Sequence, residues 1–594
     1  MATSTTSRWR ALAALLRPDA TRWSGLGVLL AAGSALALAG PLVIRSIVDR
    51  AAGDARTGTI TRLAVLFLVI AVAAQLITVV VSWFATVTAW RTTNQIRTRL
   101  ARHVLGLDHE FHRKHTPGEL IQRVDGDVTS VSDFLGRVVP RAVGAAFMVG
   151  GIVVVLAVVD WRLAVGAAAY IVLSLAVIVR GRHRAVGESS DEMGAYARLY
   201  GGIEERLTAS EDLRANGAGR HAMWRFVEDS AGAMRSAIRR EQAFLRMWWA
   251  VHASVSAGSV VALVASAILV ERGTISVGTA FLLFQYVLLL SRPLEDVVDQ
   301  LETVQKANGA MARVIDLLAV QPSIVDAAPG DQQLPPTGPL SIRFIDVGFD
   351  YGDGDAVLHD IDLEVAPGRS VGIVGRTGSG KTTLSRLVLR LVDATAGRVE
   401  LGGVDITSIP LDHLRRRVAL VPQEVELFAG TVRDNVTLFD PAPSDADVED
   451  ALRNAGLGAL AETGTSDAGI HRQLGPGGVG LSAGEAQLLA LARIWLRNPD
   501  IVVLDEATAR VDPATEERLE HAVDELVRGR TTLIIAHRLS TLRRVDEIVV
   551  VDDGRIVEHG DRALLAASDD SRFHRLLSLA LESEAPRDGE VSLR

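Results

Sequence analysis

Residues 375–383 read Gly-Arg-Thr-Gly-Ser-Gly-Lys-Thr-Thr. They follow the apolar run 370–374 and open a helix-like stretch, 384–392, so the G-x-x-x-x-G-K-[ST] spacing falls in a strand–loop–helix setting. Glycines at these positions let backbone N–H groups close around phosphate oxygens, and a helix N-terminus adds a favourable dipole. In that chemistry Gly375, Arg376, Thr377, Gly378, Ser379, Gly380 and Thr383 line the phosphates. Lys381 reaches the β- and γ-phosphates, and Thr382 ligates Mg²⁺. Lysine occurs only at Lys114, Lys306 and Lys381 in this arginine-rich chain. Arginine's planar fork does not replace the compact ammonium of a phosphate loop, so a lysine kept at this position is informative.

Residues 501–506, Ile-Val-Val-Leu-Asp-Glu, form an apolar strand ending in two carboxylates. Asp505 is placed to organise Mg²⁺ and Glu506 to accept a proton from an attacking water. An acidic pair after a buried strand is common by itself; its place downstream of a phosphate loop gives it meaning.

Between these signals lies Leu481-Ser482-Ala483-Gly484-Glu485-Ala486-Gln487, followed by the helix-like run 488–497. With this third motif the chain resembles the ATP-binding cassette (ABC) transporter family, whose signature reads Leu-Ser-Gly-Gly-Gln. The resemblance implies further roles. Tyr351 is the aromatic residue that stacks on adenine. Gln423 contacts Mg²⁺ and links nucleotide binding to the membrane domain, and His537 contacts the γ-phosphate. Asp512 belongs to a loop crossing between two cassettes, and Ser482 and Gly484 bind the γ-phosphate held by the opposite cassette. The segments 116–127 and 207–217 resemble the surroundings of the two coupling helices. The implied cofactors are ATP and Mg²⁺, and the implied activity is ATP hydrolysis coupled to transmembrane transport.

Two residues of the signature depart from the family pattern, and the preceding run 475–480 lacks the acidic residue usual there. Ala483 adds a methyl where close approach to phosphate is expected, and Glu485 places a carboxylate where the family has a neutral amide. Lys381, Thr382, Gln423, Asp505, Glu506 and His537 are intact. A good catalytic half beside a poor signature favours a heterodimer of unlike half-transporters over a homodimer.

These motifs need a scaffold, and the first half of the chain is membrane-spanning. A membrane helix takes roughly 20 apolar residues. The stretches 23–47, 63–90, 137–159, 161–180, 248–271 and 275–295 qualify. The third and fourth are separated by residues 160–162, the fifth and sixth by 271–274, so both pairs turn tightly on one side. The connections 91–136 and 181–247 are long and arginine-rich, which places them in the cytoplasm as helical extensions. Residues 7–16 read as an amphipathic interfacial helix. A cleaved signal peptide ending near 37–39 is disfavoured because the apolar run continues past it.

The expected organisation is an interfacial helix (1–22), a six-helix transmembrane domain (23–319), a Pro/Gly-rich linker (320–339) and an α/β P-loop NTPase cassette (340–594). Strand candidates in the cassette are 372–374, 418–421, 501–504, 532–536 and 547–551. The chain of 594 residues has 48% hydrophobic residues and a mean hydropathy of +0.24, fitting an apolar half joined to a soluble one. A net charge of −9 gives no nucleic-acid footprint, and the lack of cysteine excludes disulfides and thiolate metal sites.

The whole reads as a multi-pass plasma-membrane subunit exporting an amphipathic small molecule, lipid or peptide. An importer of, for example, an iron-siderophore and a homodimeric multidrug or lipid exporter stand as alternatives. Arg45, Gln75, His252 and Gln285 are polar residues within the spans that line a path or bond between helices.

Overall fold

The computed structural model describes residues 19–53, 56–352, 354, 356–461, 469–475, 477, 480–505, 513–536 and 539–584. The interfacial helix expected at 7–16 lies outside them. The chain divides into two compact units. One runs to Leu107 and from His112 to Gln321; the other takes Asp108–Phe111 and everything from Pro322.

In the first unit, six helical segments are long and apolar enough to cross a membrane. They are α1 (Ala20–Ala51), α2 (Thr57–Leu105), a run from Pro117 that ends in α3 (Val139–Val159), α4 (Trp161–Thr208), α5 (Gly219–Glu271), and a last span that begins with α6 (Val277–Leu289) and ends with α7 (Leu301–Ala319). At 1.5 Å per residue α2 is roughly 74 Å long, more than twice a ~30 Å hydrocarbon core, so the charged connections are continuations of membrane helices.

Local chemistry sets the turns. Asp160 caps α4, its carboxylate accepting the Arg162 N–H at 2.8 Å. The turn between α3 and α4 is therefore Asp160 alone, tighter than the three residues read from sequence. Ser276 caps α6 through the Thr279 N–H, and Asp49 at the end of α1 accepts the Gly278 N–H at 2.8 Å. A side chain at Gly278 would collide with the Arg45 carbonyl and the Asp49 carboxylate. The third span contains two π-helical turns, Gln122–Asp127 and Phe134–Val138, which the sequence did not announce.

The second unit holds two main sheets. A four-stranded antiparallel sheet has the order β2 (Leu358–Val365), β1 (Ile342–Phe349), β4 (Ala396–Leu401), β5 (Val404–Asp405). A six-stranded sheet has the order β12 (Arg555–Asp561), β11 (Glu547–Asp552), β3 (Ser370–Val374), β10 (Thr531–Ile535), β9 (Ile501–Asp505), β6 (Val418–Val421). It is parallel except at β11/β12. A short pair, β7 (Gly430–Thr431) with β8 (Gln473–Leu474), stands apart. Every residue of β3 and β10 is buried, as expected of strands covered on both faces. Helices α8 (Lys381–Val388), α9 (Ala483–Arg497) and α10 (Pro513–Val527) complete the α/β layer.

Candidate nucleotide site

Four parallel strands end together. Ile535 of β10 pairs with Ile373 of β3 and with Asp505 of β9, while Val421 of β6 pairs with Leu504. The segments that follow β3 and β6, carrying Gly375 and Gln423, and the end of β9 at Asp505 therefore lie at one edge of the sheet, the carboxyl edge where α/β folds bind ligands.

The loop after β3 is built around its glycines. Gly375, Gly378 and Gly380 all have positive φ. A side chain at Gly375 would run into the Val551 carbonyl of the neighbouring strand. Gly380, at φ +100°, ends the loop, and its carbonyl accepts the N–H groups of Thr383 and Leu384. Helix α8 thus starts at Lys381 and stops at Val388, whereas the sequence reading ran from 384 to 392. Arg390, with φ +47°, breaks it early.

Lys381 is only 5% exposed. Its ammonium donates to the carbonyls of Gly375 and Arg376, both at 2.8 Å. Burial holds its pKa below the ordinary lysine value, partly opposed by the Asp505 carboxylate. The Ser379 hydroxyl is buried without a hydrogen-bond partner among the described residues. A bent loop with a buried cation and an unsatisfied hydroxyl fits a polyphosphate: it supplies positive charge and donors to an anion. Thr382 is exposed, Thr383 buried and Gln423 exposed, and Asp505 is half-buried at the strand end. These hydroxyl, amide and carboxylate oxygens are the hard donors that suit Mg²⁺.

Tyr351 is fixed at its hydroxyl, which accepts from the Arg386 guanidinium at 2.9 Å and lies 3.3 Å from the Thr383 hydroxyl. Its ring packs edge-to-face on Phe349, centroids 4.6 Å apart. The structure thus joins Tyr351 to the helix that begins with Lys381. Arg386 carries no signal in the sequence: its role depends on Tyr351, which lies just beyond the end of β1.

Ser482 and Gly484 sit at the start of α9. Among the described residues, no hydrogen bond or ion pair links them to the loop. Ser482 and Glu485 form a reciprocal capping box, which starts α9 five residues earlier than the sequence reading placed it. Glu506, Asp512 and His537 lie outside the described residues.

Fold and site together define a protein with six membrane-length helical segments and an α/β domain carrying a polyphosphate-binding loop. Residues 24–294 match the family model for the ABC transporter transmembrane region, and residues 358–509 match the ABC transporter model. The chain is 31% identical over 501 residues to an ATP-dependent lipid A-core flippase of Pseudomonas fluorescens, covering 83% of this chain and 81% of that one. It is 30% identical over 480 residues to a fatty acid ABC transporter ATP-binding/permease protein of Mycobacterium bovis, covering 81% and 75%. A solved bacterial Atm1-family ABC exporter with ATP bound superposes with a TM-score of 0.81 at 23% identity, over 97% of this chain and 100% of that one. The chain belongs to the ABC transporter family, with exporter-type transmembrane and cassette domains fused. It is a multi-pass inner-membrane protein that binds and hydrolyses ATP to drive transport.

Proposed function

We propose that this chain is one half of an exporter that moves an amphipathic molecule outward, and that its partner is an unlike half-transporter. The phosphate loop with Lys381 holds the ATP phosphates. Thr382, Gln423 and Asp505 hold Mg²⁺, which when bound offsets phosphate charge. Tyr351 stacks on the adenine. Glu506 takes the proton from the attacking water, and His537 steadies the γ-phosphate. Ser482, Gly484 and Asp512 serve the facing cassette.

The observation that carries the asymmetric reading is at the start of α9. The Glu485 carboxylate accepts the Ser482 N–H at 2.8 Å. An anion already sits on the N–H group that a helix N-terminus would offer a phosphate, and its charge opposes a second anion there. This chain's signature therefore covers a slow site, while its own Glu506 works opposite the partner's signature. The amphiphile reading is supported by the relatives, whose names specify lipid A-core and fatty acid.

The test is ATPase activity in lipid vesicles of this chain purified alone and co-expressed with a second half-transporter from its own genome. Activity only with the partner, abolished by Glu506→Gln here and tolerant of the equivalent change in the partner, supports the reading. Full activity of the chain alone, abolished by Glu506→Gln, overturns the heterodimer. Uptake into right-side-out rather than inside-out vesicles would overturn the outward direction.

A further inference from the structure

Between α3, α4, α5 and α6 lies a cavity of about 830 Å³. It touches α4 from Arg162 to Val177 and α5 from Ala250 to Leu269. At helical rise those spans are roughly 22 Å and 28 Å, so the cavity is a slot running with the helices across most of a ~30 Å hydrocarbon core. Leu173 and Val261 on its walls are 63% and 66% exposed, so the slot is open along one side, and its volume falls in the range of ligand pockets.

Its walls are apolar, with Leu156, Leu173, Val261 and Leu283 among them, and small residues of α5 such as Ala253 and Ala257 make the room. Three polar features interrupt this lining. Arg162 stands at the outer end, beside the Asp160 turn. Among the described residues it is the one charged side chain on the wall and makes no ion pair. The Tyr286 hydroxyl is satisfied by the Leu38 carbonyl at 3.0 Å. The Tyr170 hydroxyl is buried against the Ser174–Ser254 hydroxyl pair, 2.9 Å apart, and so faces those hydroxyls rather than the slot. Tyr170 is also deliberately accommodated: a Cβ at Gly258 would fall 2.5 Å from its ring. That glycine lets an aromatic ring lie against the backbone of α5 and form part of the slot wall.

We infer that this slot, within a single protomer, binds one long-chain anionic amphiphile, its acyl tail along α4 and α5 and its acidic headgroup at Arg162. Hydrocarbon walls favour a tail over any polar ligand, the slot's length matches an extended chain, and the lone guanidinium selects an anion. The Tyr170 ring, about 12 Å of helix below Arg162, sets an aromatic face against the chain partway down. The inference rests on the amphiphile-exporter reading above for its consequence, but not for the binding itself.

The test uses the full-length protein in nanodiscs with palmitic acid carrying a photoactivatable diazirine near its methyl end, the labelled residues being located by mass spectrometry. The expected result is labelling at the inner end of the slot, around Val177 and Leu290, competed away by unlabelled palmitate. Ala253→Trp should fill the slot and abolish it. Arg162→Ala should weaken labelling by the acid about tenfold, as loss of one charge-assisted contact would, and leave the matching diazirine alcohol unchanged. Label spread over the exposed face of α2, near Val65, Leu68 and Trp83, and indifferent to palmitate competition would overturn the inference; so would equal labelling in a folded Ala253→Trp protein. Competition in the unsubstituted protein decides the matter even if the tryptophan variant does not fold. Equal labelling in a folded Ala253→Trp protein that still exports amphiphile would overturn the slot and leave the exporter reading standing. Slot labelling with no amphiphile moved by the unsubstituted protein would do the reverse.

Discussion

The Glu485 carboxylate accepts the Ser482 N–H at 2.8 Å, and the Ser482 hydroxyl accepts the Glu485 N–H at 3.2 Å. Each residue satisfies the other's otherwise orphaned donor, so the acid that departs from the family signature also starts the signature helix. Glutamine at the same position keeps such a box and removes the charge. Glu485→Gln is therefore expected to leave cassette stability unchanged, whereas Glu485→Ala costs about 1 kcal/mol through the lost cap.

The same substitution separates the two assemblies. In a heterodimer, Glu485→Gln tightens nucleotide binding at the slow site by about tenfold, the equivalent of ~1.4 kcal/mol, with little change in turnover. In a homodimer both sites carry the altered signature, and turnover itself rises. Nucleotide trapping measured beside steady-state ATPase distinguishes them.

Lys381 supplies a further prediction. Its ammonium is held by two loop carbonyls at 2.8 Å, a geometry of separate point contacts from one nitrogen. A guanidinium delivers its donors in a planar fork and needs more room than a site 5% exposed provides. Lys381→Arg is expected to lower ATPase by roughly 100-fold or more, close to Lys381→Ala, as for loss of a preorganised donor to a developing charge. A nucleotide-binding titration and turnover at saturating ATP give the split between binding and chemistry.

These predictions draw on residues that the sequence exposes unequally. The phosphate loop, the acidic strand and the six apolar spans are legible because each is a local pattern: fixed spacing in the first two, length and composition in the last. The antiparallel sheet is less legible: only the second half of β2 alternates, with Ile361, Leu363 and Val365 buried, while Leu358 falls off that period. Its partner β1 hides the same period behind register shifts between Phe344 and Val347 and between Val347 and Phe349. The π-turns in the third span have no sequence marker, since they arise from how a helix accommodates its neighbours. The support of Tyr351 by Arg386 was invisible for a similar reason: a rigid aromatic and a cation 35 positions apart meet only after folding.

Asp127, at the end of the first π-turn, is 2% exposed and takes a bidentate pair from Arg313 of α7 at 2.8 and 2.6 Å. The Arg313 side chain is 54% exposed, so the pair is buried at one end only. Arg313→Ala leaves a buried carboxylate without its partner. The expected cost is about 2 kcal/mol, below the roughly 3–5 kcal/mol of a fully buried pair because water reaches the arginine side. Asp127→Asn combined with Arg313→Gln should cost less than the two single changes added together. Thermal unfolding of the four proteins in one lipid composition closes this cycle; strict additivity would mean the pair contributes nothing as a pair.

The last prediction concerns acid. Thr431 caps the helix Val432–Thr437, and Asp434 completes a capping box with it. The Thr431 N–H and then its hydroxyl hold the Asp434 carboxyl below its ordinary value of 3.8, further helped by Arg433 and His471, while burial opposes the shift. A carboxyl depressed on folding stabilises the native state fully above its unfolded pKa, and that contribution is lost as pH falls through the folded value. The unfolded chain binds the proton first, so stability must rise with pH across this window. The following residue, Asn435, is fully buried and bonds both the N–H and the carbonyl of Phe428, at 2.8 and 2.9 Å. Loosening of the cap therefore reaches back along the segment that begins at Gln423. Hydrogen exchange across 423–437 should quicken in the native-state ensemble as pH is lowered toward 3, once intrinsic rates are corrected for. Asp434→Asn should show that quickening already at neutral pH and respond less to acid. If the variant and the unsubstituted protein keep the same protection and the same acid slope, Asp434 does not govern this segment.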